Sequence, residues 1–201
     1  MQRFLITAAL LGATLAAPCQ KKSDGFNLRV QLNDPTKDLT PSVSGQYLSG
    51  LRVSQGSYIA VTSEEPSTYY LNNTEGGATV VHDIIGVYPI SLFVQGPTEF
   101  DSSYPDEHNV GLVVGSTTKG LQVYPALTGP ADGGTYIICP REFVFPSGPS
   151  DIVAPRFLYE GEEIPDDCVS VTFVPECATL EPLPDGASWN HDSVTMISCV
   201  T

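Results

Sequence analysis

Hydrophobic and polar residues alternate in short stretches along most of the chain, which is the pattern of half-buried β-strands. The clearest case is Phe26–Leu32, in which apolar and polar residues alternate without a fault. Further stretches rich in Val, Ile, Tyr, Phe and Thr predict strands of similar length. These predicted strands are Gln46–Val53, Ser57–Thr62, Thr68–Leu71, Ala78–Ile85, Val87–Val94, Val110–Val114, Gly120–Tyr124, Thr135–Cys139, Arg156–Tyr159, Cys168–Val174 and Val194–Cys199.

Turn-forming residues separate the predicted strands at regular intervals. Gly, Pro, Asn and Asp mark the turns, and the chain contains 18 Gly and 17 Pro. Longer loops are expected at Gln95–Asn109, Pro146–Pro155 and Glu160–Asp167. Short strands at such spacing are typical of a β-sandwich or a β-barrel. We expect an all-β fold, a single-domain β-sandwich of antiparallel strands over 26–201, preceded by a short extension over 17–25.

The N-terminal residues have the organisation of a secretory signal peptide. A basic start at Arg3 precedes the apolar run Phe4–Ala13, and small residues at Thr14 and Ala16 suit signal peptidase. The run is too short to span a bilayer, which requires about 20 apolar residues. We therefore predict cleavage after Ala16 and a mature product that is secreted, extracellular and soluble.

The charge balance excludes some classes of partner. The chain has 9 Lys+Arg against 23 Asp+Glu, a formal net charge of −14. A surface of this sign repels phosphate groups, so we expect neither nucleic-acid binding nor adhesion to anionic membranes. With 41% hydrophobic residues, the composition favours a packed fold over disorder.

The cysteines suit an oxidising compartment, and most of them lie in the last third of the chain. The residues expected to form disulfides are Cys139, Cys168, Cys177 and Cys199. Cys168 begins a predicted strand that Pro175 ends before Cys177, and nine residues of extended chain reach about 30 Å, so these two cysteines cannot bridge each other unless the strand folds back on itself. Two sets of pairings stay open: 139–168 with 177–199, or 139–177 with 168–199. No C-x-x-C spacing occurs, which disfavours zinc.

The fifth cysteine, Cys19, lies just before the dibasic pair Lys21-Lys22. Cleavage at this pair by a processing protease would remove Cys19 and leave an even set of four cysteines. Without cleavage, Cys19 is a free or intermolecular thiol, or it displaces another cysteine from its partner.

One glycosylation motif is present. Asn72-Asn73-Thr74 meets the N-glycosylation rule, with Asn72 as the acceptor. The motif follows a predicted strand and precedes Gly76-Gly77, which predicts an exposed hairpin tip. A secreted eukaryotic protein is expected to carry a glycan at this position.

The titratable residues form no catalytic or metal-binding motif. His82, His108 and His191 lack the spacing of a metalloprotease, and no G-x-S-x-G nucleophile elbow occurs. We interpret the three histidines as structural or surface residues, and we expect no metal and no cofactor.

Acidic residues offer the alternative of glycoside hydrolysis by paired carboxylates. Candidate pairs are Glu64-Glu65 and Asp106-Glu107, but adjacent residues on a strand point to opposite faces. The acidic run Glu160–Asp167 lacks the spacing of an EF-hand calcium site, so a solvated loop is the favoured interpretation.

Aromatic side chains offer a different function, because carbohydrate-binding sandwiches stack sugars on exposed rings. A sugar platform formed by Tyr69, Tyr70 and Trp189 is one hypothesis. Tyrosines in short strands more often fill the core or rim of the fold, which is the competing interpretation.

The chain resembles a family of secreted proteins from filamentous fungi. The resemblance rests on the opening strand Phe26-Asn-Leu-Arg-Val, on Leu39–Gly45, on Cys168–Leu180, and on Trp189-Asn-His-Asp192 followed by Cys199. This family is an uncharacterised domain without an assigned activity. The resemblance implies an extracellular fungal protein with disulfides in its last third, and it supplies no catalytic residues.

These observations favour a secreted, non-enzymatic interaction or effector-like protein, whose partner is an extracellular protein or a cell-wall polysaccharide. An extracellular carbohydrate-binding protein is the first alternative. An acidic, glycosidase-like extracellular hydrolase is the second.

Overall fold

A computed structural model of the chain describes residues 20–201 except positions 75–76, 85–86, 100, 102, 116 and 131–132, and only the backbone of Thr74. The predicted signal peptide and Cys19 lie outside the described residues.

The described residues form thirteen strands and no helix, which confirms the predicted all-β fold. Accordingly, this part of the chain contains no helix with the length and hydropathy of a membrane span. The strands are β1 (Gln20–Ser23), β2 (Gly25–Leu32), β3 (Tyr47–Ser54), β4 (Ser57–Ser63), β5 (Tyr69–Thr74), β6 (Gly77–Ile84), β7 (Tyr88–Val94), β8 (His108–Val113), β9 (Thr135–Phe145), β10 (Gly148–Leu158), β11 (Val169–Ala178), β12 (Val194–Thr195) and β13 (Ile197–Val200).

The strands close into a barrel, so the predicted sandwich is wrong. Eight strands form a closed circuit of antiparallel neighbours, in the order β2-β5-β6-β7-β8-β10-β9-β11 and back to β2. The hairpin β3–β4 pairs with both β2 and β8 and thereby links two members of the circuit. The strands of a sandwich and of a barrel show the same alternation of apolar and polar residues, so this alternation does not distinguish the two folds. The pairings that close the circuit join strands that are far apart in the sequence.

Prolines caused two of the errors in the predicted strands. The predicted loop Pro146–Pro155 is instead part of the long hairpin β9–β10, and β11 continues through Pro175 to Ala178. A hydrogen bond from the Asn33 N–H to the Ser170 carbonyl sets the alternation along β11. That alternation points the nitrogen of Pro175 away from β2, where no N–H is needed.

One predicted strand, Gly120–Tyr124, is not a strand in the structure. Its alternating residues Leu121 and Val123 are nevertheless buried in the main core. The alternation therefore indicated correctly which side chains of this segment are buried, although the segment does not pair as a strand. The barrel interior contains this core, with Phe26, Phe157 and Phe173 among its fully buried side chains.

Two disulfides stabilise the C-terminal region, and they decide between the open pairings. Cys139 bonds to Cys168 and Cys177 bonds to Cys199, with Cα–Cα distances of 4.4 and 5.1 Å. The first bridge joins β9 to the loop that leads into β11. The second joins β11 to β13, which pair with each other at Glu176 and Val200.

Candidate functional site

Two clusters of polar side chains, each centred on a buried carboxylate, lie on the outer surface of the barrel wall. We call them the arginine cluster (Asp101, Glu107, Arg141, Arg156 and Asp167) and the Asp83 cluster (Tyr70, Asp83, Trp189 and His191). Buried charge is costly to desolvate, so each cluster is a place where function or a demanding structural role is expected.

The register of the hairpin β9–β10 brings the two arginines to one face. Tyr136, Ile138 and Phe157 face the barrel core, so the alternate residues Arg141 and Arg156 point to the opposite face. The loops before β8 and before β11 cover that face, because they carry the acidic partners of both arginines. Each arginine is only 6% exposed.

Glu107 is the centre of the arginine cluster. Its carboxylate accepts two hydrogen bonds from Arg141, one of them from Nε at 3.1 Å and the other from Nη2. It also accepts a bond from Nε of Arg156 at 2.9 Å. Glu107 is 2% exposed, so a single desolvated carboxylate holds two guanidinium groups.

Two further carboxylates contact the arginines at the edges of the cluster. Arg141 Nη1 donates to Asp167 at 2.6 Å, and Arg156 Nη2 donates to Asp101 at 2.9 Å. The ring of Tyr104 lies against both guanidinium groups, 4.6 and 5.3 Å from their central carbons. Three carboxylates therefore surround two cations, and Nε and Nη2 of both arginines donate to a carboxylate.

The protonation of the cluster follows from these contacts. Burial lowers the pKa of Arg141, but hydrogen bonds to Glu107 and Asp167 outweigh it, so the pKa is raised and the side chain stays cationic. Burial raises the pKa of Asp101, whereas the Ser103 N–H and Arg156 lower it, and the net shift is downward. Arg141 and Asp101 are thus held in their charged forms near neutral pH.

The arginine cluster adjoins the first disulfide. A carboxylate oxygen of Glu107 and the Sγ atoms of Cys139 and Cys168 lie within 4.8 Å of one another, a spacing that would suit the ligands of a metal ion. Both sulfurs form the disulfide and Glu107 is paired with the arginines, so this group lacks the thiolates that a soft metal requires.

Part of the acidic run has a structural role. Glu162 accepts from the Tyr159 N–H at 2.7 Å and lies 3.0 Å from Nε2 of the fully buried His108. Asp167 is engaged by Arg141. Asp106 is exposed although Glu107 is buried, so this candidate acid pair does not share a site.

The Asp83 cluster fastens the C-terminal segment to the outside of β5 and β6. Asp83 is 8% exposed and accepts from Tyr70 Oη and Trp189 Nε1, both at 3.0 Å. Its second oxygen lies 2.7 Å from Nε2 of His191. The His191 ring meets the ring of Tyr70 edge-on at 4.9 Å. Burial, followed by the Asp83 charge, raises the pKa of Tyr70, which keeps its hydroxyl protonated as a donor.

The sequence matches the family model described as "Domain of unknown function (DUF7907)" over residues 23–177. The chain belongs to this family. A relative, "Antigenic protein SchS34" from the fungus Stachybotrys chartarum, is 27% identical over 90% of this chain and 88% of its own length. No solved structure matches the chain significantly. The predicted resemblance to an uncharacterised fungal family is confirmed.

In this DUF7907 chain, both tyrosines of the proposed sugar platform are buried. Tyr69 and Tyr70 are 0% and 1% exposed, so neither ring has a face free for a sugar. The platform hypothesis is wrong for these two tyrosines, because the core covers Tyr69 and the C-terminal segment covers Tyr70. Trp189 is half-buried and donates to Asp83.

The sequence did not identify the arginine cluster, because its residues are far apart in the chain and each is of a type usually found on surfaces.

The predicted glycan acceptor Asn72 lies in β5, where it pairs with Thr79 and Val194, and it is half-buried beside the exposed Asn73. Glycosylation at Asn72 stays a prediction.

Replacing Asp83 by alanine is expected to lower the free energy of unfolding by about 2–3 kcal/mol, because the buried Tyr70 hydroxyl loses its acceptor. Urea denaturation measures the change. The matched control is Asp192→Ala, an exposed carboxylate on the same C-terminal segment, with an expected change within about 0.5 kcal/mol. Equal effects of the two substitutions would show that Asp83 does not hold the segment.

Proposed function

We propose that this DUF7907 protein is a secreted, non-enzymatic protein that acts by binding another extracellular macromolecule. One observation carries the proposal. The titratable groups of both buried clusters are engaged within the chain, whereas apolar side chains are presented to solvent on a projecting hairpin.

The projecting part is the end of β9–β10, which we call the hairpin arm (residues 142–151). Past Ile138 on β9 and Arg156 on β10, these strands pair only with each other among the described residues. Val144 is 72% exposed, the largest value among the exposed hydrophobic residues described. The half-buried rings of Phe143 and Phe145 lie 4.7 Å apart on the other face of the arm.

The arm is protected against indiscriminate strand pairing. The Glu142 N–H donates to Tyr104 Oη at 3.0 Å, and Pro140 has no N–H to offer. The Pro140 carbonyl accepts from Arg141 at 2.6 Å. These contacts occupy backbone groups at the base of the β9 edge, which limits strand pairing there.

Placement outside the cell has two supports. Disulfides persist in oxidising compartments, and this protein has two of them. The fungal relative is named as an antigenic protein, and from that likeness we propose that this chain is presented outside the cell.

The experiment that tests a non-enzymatic role is a pelleting assay with insoluble chitin, β-1,3-glucan and cellulose. The purified mature protein is expected to release no reducing sugar from any of them. Release of sugar that persists on repurification would contradict the proposal. Protein found in the pellet without sugar release would identify the partner as a polysaccharide, as in the carbohydrate-binding alternative, and Trp189→Phe would then be compared with Phe145→Ala.

The pair Asp83–His191 favours a hydrolase as a second candidate. A carboxylate that orients a histidine is two-thirds of a hydrolytic triad. Within the described residues no serine, threonine or cysteine is hydrogen-bonded to His191, so the nucleophile is not in place. If sugar or peptide hydrolysis were measured, His191→Ala would abolish it under this hypothesis, whereas activity that survives the substitution would exclude His191 as its source.

Glycosylation at Asn72 gives a separate prediction. Protein secreted by a eukaryotic host is expected to lose mass on treatment with an N-glycan-releasing amidase, because Asn72 has access to solvent and heads the motif. Asn72→Gln should remove the mass shift. Asn73→Gln is the matched control, since it changes the adjacent residue and keeps the motif intact. An unchanged mass for the wild-type protein would contradict the prediction.

A further inference from the structure

Lys21-Lys22 is the one dibasic pair in the sequence. Both side chains are exposed in the structure, and both lie on β1. Endoproteases bind their substrates as extended strands, so an exposed basic pair on an extended segment has the local conformation that cleavage requires.

β1 is attached to the molecule along one edge only. In the described part of the chain it pairs only with β13, through Gln20 with Val200, Lys21 with Cys199, Lys22 with Ser198 and Ser23 with Ile197. Short terminal strands of this kind fray at low cost in free energy. Of the described residues, a protease therefore needs to displace the four-residue strand β1 to reach the bond that follows Lys22.

The chain becomes firmly anchored just after the pair. Ser23 Oγ donates to the Ala178 carbonyl at 2.6 Å, and the Leu180 N–H donates to Asp24 at 3.4 Å. β2 begins at Gly25. The strand that β1 covers is held independently, because Cys199 of β13 is bonded to Cys177. Loss of β1 thus leaves its neighbour fixed to the barrel.

The family match gives an independent indication. It begins at Ser23, the residue that follows Lys22. Four of the five cysteines form the two bridges, and Cys19 lies on the other side of Lys22. The chain from Ser23 onward therefore contains the start of the matched domain and an even set of bridged cysteines.

We propose that the Lys22–Ser23 bond is a processing site for a dibasic-specific endoprotease of the secretory route. Hydrolysis adds one water across this peptide bond, which leaves a carboxylate on Lys22 and an amine on Ser23. The released segment carries Cys19 and most of β1. The product is a barrel that begins at Ser23, with the edge of β13 uncovered.

The test is to incubate the folded chain 17–201 with a purified dibasic-specific serine endoprotease and to record intact mass and the N-terminal sequence. The expected result is a single product that begins at Ser23. Its melting temperature is expected to stay within a few degrees of that of the uncut chain. A synthetic peptide covering residues 17–30 shows that the enzyme recognises the sequence when it is unfolded.

Two variants make the test specific. Lys22→Ala should abolish cleavage, since the enzyme requires the basic pair. Ser23→Ala should make cleavage roughly three- to tenfold faster, because it removes the hydrogen bond to Ala178 that must break when the strand is displaced. Cleavage of the peptide but not of the folded chain would overturn the proposal, as would a product that unfolds on cleavage.

Discussion

Replacing Glu107 by alanine is expected to lower the free energy of unfolding by about 3–5 kcal/mol. The substitution leaves two guanidinium groups, each 6% exposed, without the carboxylate that both of them contact. Asp101 and Asp167 cannot replace it, because they bind the outer nitrogens of the arginines. The measurement is urea denaturation at neutral pH, followed by fluorescence, with an unchanged slope against denaturant concentration.

The matched control for Glu107→Ala is an exposed ion pair of the same chemistry. Arg29 donates to Glu176 at 3.0 Å, and the Arg29 side chain is 51% exposed. Arg29→Ala is expected to cost about 0–1 kcal/mol, because solvent screens such a pair. If Glu107→Ala costs no more than Arg29→Ala, water solvates the two arginines after the substitution, and the cluster is not a desolvated network.

The strands of this protein could be predicted because each buries a regular set of side chains. Phe26–Leu32 alternates in the sequence, and β2 buries Phe26, Leu28 and Val30. Closure of the barrel could not be predicted in the same way. It depends on the pairing of β2 with β11, whose residues are separated by most of the chain, and local alternation contains no information about such partners.

The buried clusters escaped prediction for a related reason. Tyr69 and Tyr70 are adjacent and so point to opposite faces of β5, yet both are buried. The outer face is covered by a segment that lies more than a hundred residues later and contains Trp189 and His191. The sequence suggested these aromatic residues as a sugar platform, whereas their burial depends on a contact that no local pattern reports.

Removing the Cys139–Cys168 bridge by the double substitution C139A/C168A is expected to lower the free energy of unfolding by about 3–4 kcal/mol, as is C177A/C199A for the other bridge. The sequence separations of 29 and 22 are similar, so the entropic stabilisation differs by only about 0.2 kcal/mol between the two bridges.

Reduction of both bridges removes an amount of free energy comparable to the whole stability of an ordinary domain. The fully reduced protein is therefore expected to be unfolded at 37 °C, which circular dichroism with and without reductant measures. An unchanged melting temperature would contradict this.

The two bridges differ in their contacts with the arginine cluster, although their effects on chain entropy are nearly equal. Cys168 Sγ accepts from Arg141 Nη2 at 3.0 Å, and the next residue upstream is Asp167, a partner of the same arginine. The Cys177–Cys199 bridge has no such contact with the arginine cluster among the described residues. We therefore expect the losses in free energy of unfolding caused by C139A/C168A and by Glu107→Ala to be less than additive, by about 1 kcal/mol or more, when the substitutions are combined. The reason is that each of them weakens contacts of the same cluster. C177A/C199A combined with Glu107→Ala should be additive. Additivity in both combinations would mean that the first bridge stabilises the barrel without holding the arginine cluster together.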